Sequence, residues 1–160
     1  HFTREHDLEA VMRGARIGVL GIGLNMIRAS GLNALSHTID AMRRVDRLAQ
    51  RKQPPQHVVW MLRPKEGALK PYEWLGKQAG AALLRFNAHT AAEAERLGFS
   101  IFDPYNLTAG AHSQDGTHYG QTVSVTQAQF LLNHLSEHVA PEKESGQRRR
   151  GCHTNVDVWI

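Results

Sequence analysis

The chain has a single cysteine, Cys152, among 160 residues, so no disulfide can close within it. No apolar run approaches the ~20 residues that cross a bilayer, and His1 to Ala15 lack the basic-then-apolar plan of a signal peptide. Aromatic residues make up 7%, and none of the interleaved basic and aromatic modules that stack bases is present. Acidic residues are outnumbered, with Asp+Glu 15 against Lys+Arg 19 and a formal charge of +4. The excess gathers at Arg43, Arg44, Arg47, Arg51 and Lys52 and again at Arg148, Arg149 and Arg150. A mild excess on one helix face reads as solvated surface, so neither nucleic acid nor a membrane span is an expected partner. What remains is an ordinary globular composition, 41% hydrophobic and 21% charged. A chain of this length can bury roughly two-thirds of its surface in one core.

No internal repeat is present, and the chain alternates strand-like and helix-like segments. Arg16 to Gly23 is a short apolar run closed by glycines, which predicts a buried strand and a tight turn. From about Ala34 to Gln50 the apolar residues Leu35, Ile39, Met42, Val45 and Ala49 recur at helical spacing, opposite the arginines. Pro54 and Pro55 stop that helix before a second strand, His57 to Leu62. A loop from Arg63 to Tyr72 leads to a helix from about Trp74 to Leu97, which Gly98 ends. Its apolar positions include Leu83, Leu84, Phe86, Ala91, Ala94 and Leu97. Phe99 to Phe102 is a third strand, Asp103 to Gly120 a long loop, and Val123 to His138 a last helix with a stripe of Ala128, Leu131, Leu132, Leu135 and Val139. Strand and helix in alternation predict a parallel sheet covered on both faces, an α/β fold with three layers. The domain is expected over residues 16–140, with 1–15 as an N-terminal helix or linker and 141–160 as a polar, basic tail.

In such a sheet ligands gather beyond the carboxyl ends of the strands. That rule selects Gly21 to Asn25, Arg63 to Tyr72, and Asp103 to Tyr119. Within the third segment, Asp115-Gly116-Thr117-His118 places a carboxylate three residues before an imidazole on a glycine-containing loop. Turned back on itself, the loop lets the acid accept the Nδ1 proton and leaves Nε2 as a general base. The alternative is a turn capped by Asp115 beside an exposed His118. Arg63, Lys65 and Lys70 could grip an anionic or sugar substrate or be solvated. Asp103 could serve the site or cap the turn before Pro104. His134 and His138, spaced i, i+4, would chelate zinc only with a third ligand, and the pair reads as solvent-facing, so no metal is expected.

Asp115-Gly116-Thr117-His118-Tyr119, followed by Gln127 to Leu135 and preceded by Leu84-Arg85-Phe86-Asn87 and Leu97 to Asp103, resembles the SGNH (GDSL-like) hydrolases, in particular their PC-esterase branch. Gly23-Leu24-Asn25 is similar to that family's Gly-x-Asn block. The resemblance covers roughly Arg16 to Val139. It implies a flavodoxin-like three-layer α/β/α fold and a Ser-His-Asp mechanism without a cofactor. His118 would be the base, Asp115 its orienter, and Asn25 an oxyanion donor on the turn that Gly23 opens. Arg63 and Tyr119 would face substrate, a small ester or an acetylated glycan. A single preorganised donor such as Asn25 is worth about 3 kcal/mol in the transition state. Asn25 can equally be a turn residue or a helix N-cap.

The departure is the nucleophile. The family carries it in a Gly-Asp-Ser block ahead of Gly-x-Asn, and no serine precedes Gly23 here. Ser113 lies too close in sequence to face His118 across a substrate, Ser30 and Ser36 lack a strained elbow, and Cys152 sits beside His153 in the tail without oxyanion donors. The expectation is an O-acyl ester hydrolase or acyltransferase whose nucleophile strand is missing from this chain. The alternative is a catalytically inactive SGNH-like structural or binding subunit, docked onto other protein chains through its C-terminal tail. Asn106-Leu107-Thr108 is a glycosylation sequon, which matters only on passage through the secretory pathway and leaves the compartment open.

Overall fold

The computed structural model describes residues 10, 12–21, 33–138 and 156–159, the last stretch by its main chain. Four parallel strands form one sheet: β1 (Ile17–Leu20), β2 (His57–Met61), β3 (Ser100–Phe102) and β4 (Val156–Trp159), in the order β3-β2-β1-β4. The helices are α1 (Ala34–Gln50), α2 (Tyr72–Gln78), α3 (Gly80–Arg96), α4 (Tyr105–Thr108) and α5 (Gln121–His138). This is the expected parallel α/β architecture. Alternation along β2 sends Val58 and Trp60 to one face and Val59 to the other, all almost fully buried. The first face packs under α1 and α3 through Met42, Val45, Leu48 and Ala94; the second packs under α5 through Leu131 and Leu135, with Val19 and Phe102. Hence there are three layers. Among the described residues no helix is long and apolar enough to cross a membrane.

Three differences from the sequence reading have physical causes. The helix expected from Trp74 to Leu97 is broken at Ala79, whose backbone is extended, and α3 restarts where the Gly80 amide donates to Glu66 Oε1 at 2.9 Å. On α5 only Leu131 and Leu135 are buried; Ala128 and Leu132 face outward because the sheet supplies a narrow seat. Val156–Trp159, placed by its charged surroundings in a polar tail, pairs with β1 from Ile17↔Val156 to Leu20↔Trp159. The rest of that tail, with Cys152 and the Arg148–Arg150 run, lies outside the described residues. So does the N-terminal helix or linker of 1–15, except at its last residues.

The arginine face of α1 is partly neutralised. Arg43 Nε lies 2.8 Å from Glu93 Oε1 on α3, and Arg96 binds the same carboxylate at 2.7 Å. Together they hold the Glu93 carboxyl down at about 2, the Arg96 hydrogen bond contributing most. This clamp fixes α3, and through α3 the loop that follows β2.

Candidate active site

Two loops meet beyond the carboxyl ends of β2 and β3. The first, residues 63–70, is tied down from three sides. Asn87 of α3 accepts the Arg63 amide at 3.0 Å and donates to its carbonyl at 2.9 Å; Thr108 of α4 accepts the Lys65 amide at 2.8 Å. The third attachment is the second loop, 112–119. The Gly67 amide donates to the Gly116 carbonyl at 3.1 Å, Lys70 Nζ to Thr117 Oγ1 at 2.5 Å, and the Tyr119 hydroxyl to the Lys65 carbonyl. Two glycines permit this approach. Gly116 has φ +77°, and a Cβ there would come within 2.2 Å of the Lys70 main chain; one on Gly67 would come within 2.3 Å of the Ser113 side chain.

The clasped second loop closes on itself around one carboxylate. Asp115 Oδ1 accepts the amides of Thr117 at 2.9 Å and His118 at 2.7 Å, and Asp115 Oδ2 lies 2.7 Å from His118 Nδ1. With an ionised acid as acceptor, Nδ1 is the protonated nitrogen and Nε2 is left with its lone pair. The His118 amide, then the imidazole, then the Thr117 amide hold Asp115 far below the ordinary carboxylate range, so it is an anion at neutral pH. The turn cap and the carboxylate–imidazole contact are therefore present at once. Asp115 caps the turn and also orients the imidazole. His118 remains exposed, with 76% of its side chain accessible, while its carbonyl is held by the Gln114 amide at 3.0 Å and Ser113 Oγ at 3.1 Å.

The other expected residues are sorted by the same contacts. Gly23 and Asn25 lie outside the described residues, as does Ser30. Ser113 is buried and spends its hydroxyl on the His118 carbonyl. Tyr119 has its hydroxyl committed to the Lys65 carbonyl; burial, more than any other influence, raises its pKa. Arg63 is buried rather than solvated, with its main chain locked by Asn87. Asp103 caps the turn, accepting the Tyr105 amide at 2.9 Å. His134 and His138 stack at 4.2 Å on α5, and among the described residues no group of three His, Cys, Asp or Glu side chains is placed to hold a metal. Glu66, Asn87 and Thr108 carry much of the loop geometry, and sequence reading gave them no role. Only the Leu84-Arg85-Phe86-Asn87 block hinted at one.

No family model matches this sequence, and none of the curated proteins does. Solved structures do match in shape. One is a peptidoglycan O-acetylesterase, at TM-score 0.62 and 14% identity over 84% of this chain. Another is a carbohydrate acetylesterase from Sinorhizobium meliloti, at TM-score 0.63 and 11% identity over 83% of this chain. The chain spans 41% of the length of the first and 67% of the second. At such low identity the likeness establishes the fold alone, a parallel α/β sheet covered by helices.

Proposed function

We propose that this chain carries the base and its orienter for an SGNH-type O-acyl ester hydrolase or acyltransferase. The observation behind this reading is the 2.7 Å contact from His118 Nδ1 to Asp115 Oδ2 beyond the carboxyl end of a parallel sheet of that type. The two acetylesterases of similar shape add support for an acetylated glycan or a small ester as substrate.

In this mechanism a serine hydroxyl attacks the acyl carbonyl as its proton passes to His118 Nε2. The oxyanion of the tetrahedral intermediate takes a hydrogen bond from Asn25. On collapse the ester C–O bond breaks and His118 returns the proton to the departing alkoxide. Water or an acceptor alcohol then resolves the acyl-enzyme by the same exchange in reverse. Asp115 stabilises the imidazolium and does not move a proton. This reading requires an attacking serine, and the 160 residues contain no Gly-Asp-Ser block. That gap is also the observation favouring the second reading, an inactive fold used as a structural or binding subunit.

Turnover of p-nitrophenyl acetate and of an O-acetylated glycan, together with labelling by a serine-directed fluorophosphonate, separates the two. The enzyme reading predicts labelling and turnover, with His118→Ala lowering kcat by roughly 10²–10⁴-fold and Asp115→Asn also impaired. Absence of both label and turnover in the intact protein assigns the subunit role.

A further inference from the structure

Arg63 follows β2 at its carboxyl end and is 8% exposed, while its main chain is pinned on both sides by the buried Asn87 amide. Its Nη2 is buried without a hydrogen-bond partner among the described residues. That nitrogen lies 2.7 Å from where a Cβ on Gly21 would stand, so the guanidinium packs against the carboxyl end of β1, and Gly21 itself is part-exposed. Burial moves the Arg63 pKa down to about 10, and among the described residues no carboxylate offsets it. Lys70 differs: Asp115 and Glu66 both oppose the effect of its burial. A desolvated cation without a counter-charge is costly, and a guanidinium fork with a spare donor fits the two oxygens of a carboxylate.

We propose that Arg63 forms an anion subsite at the carboxyl ends of β1 and β2, and that its ligand is a carboxylate. A single buried charge without an opposing carboxylate suits a monoanion; the other buried cation among the described residues, Lys70, donates to Thr117 and is offset by Asp115 and Glu66. This rests on the acyl-transfer reading for its location, and the carboxylate has two chemical sources. It is either the acid released on ester hydrolysis or one carried by the substrate, as in a uronic acid.

The test is an NMR titration of the Arg63 Nε–H and the Gly21 amide with sodium acetate or sodium glucuronate, against sodium chloride at equal ionic strength. Saturable shifts are expected with a carboxylate and not with chloride, weakened about tenfold or more in Arg63→Met and less in Arg63→Lys. A response to acetate alone assigns the released acid, a response to glucuronate alone assigns a substrate carboxylate, and a response to both supports a subsite that takes either. Equal responses to carboxylate and chloride, or none to either, overturn the proposal. If Arg63→Met does not fold, the titrations of the wild type and Arg63→Lys decide. Carboxylate binding without ester turnover would overturn the acyl-transfer reading alone. His118-dependent turnover without carboxylate binding would overturn the Arg63 subsite alone.

Discussion

Histidines gather at both ends of the sheet, and the two ends treat them differently. Beyond the carboxyl ends, His118 faces an acid, Asp115, whose other oxygen is fixed by two amides. At the amino ends, His57 opens β2 with Nε2 at 3.0 Å from Ser100 Oγ, while His134 and His138 stack at 4.2 Å near the end of α5. There burial lowers the pKa of both His57 and His134, and the charge of His138 lowers each further, against a weaker opposing effect of Glu137 on His134. The same residue type is thus an imidazole oriented by a carboxylate at one end and, at His57 and His134, a partly buried ring whose protonation is disfavoured at the other. The partner decides which.

The largest change should come from breaking the clasp that holds the Asp115–His118 loop. Gly116→Val puts a branched side chain at φ +77° into the Lys70 main chain, and a cost of about 3 kcal/mol is expected in denaturant midpoints, with the His118 amide resonance displaced. Next is the clamp behind the first loop. Glu93→Gln should cost about 1–2 kcal/mol at pH 7, because Arg43 and Arg96 lose a common anion. Glu93 has a lowered folded pKa, so its contribution is present above its ordinary value of 4.5 and fades as the pH falls toward about 2. Wild type and variant should therefore converge in stability over that window. The smallest effect is at the amino end. The folded state disfavours protonating His57 and His134, so wild-type stability declines as the pH falls through 6.5. His138→Ala should shrink that decline between pH 7 and 5, with a change below about 0.5 kcal/mol at pH 8 in urea unfolding.

Elements whose causes are local were legible in the sequence. The stripe from Met42 to Ala49, the apolar run of β2 and the stop at Gly98 each rest on near neighbours, and Asp115-x-x-His118 closes within one turn. What escaped depends on distant partners. The break at Ala79 is coupled to the Glu66 contact, the Arg63 loop is pinned by Asn87 twenty-four residues on, and β4 gains its identity only by pairing with β1. Exposed Leu132 and buried Leu131 are equally apolar, and only the sheet's geometry distinguishes them. Thr108 looked like part of a sequon, yet it is buried and accepts the Lys65 amide.

The most direct test of the Asp115–His118 pairing is the tautomer of His118, read from long-range ¹H–¹⁵N correlations of its imidazole at pH 8. The account predicts a proton on Nδ1 and a free lone pair on Nε2, with that preference lost in Asp115→Ala. A wild-type His118 protonated on Nε2, or one whose tautomer ignores removal of the Asp115 carboxylate, would contradict it.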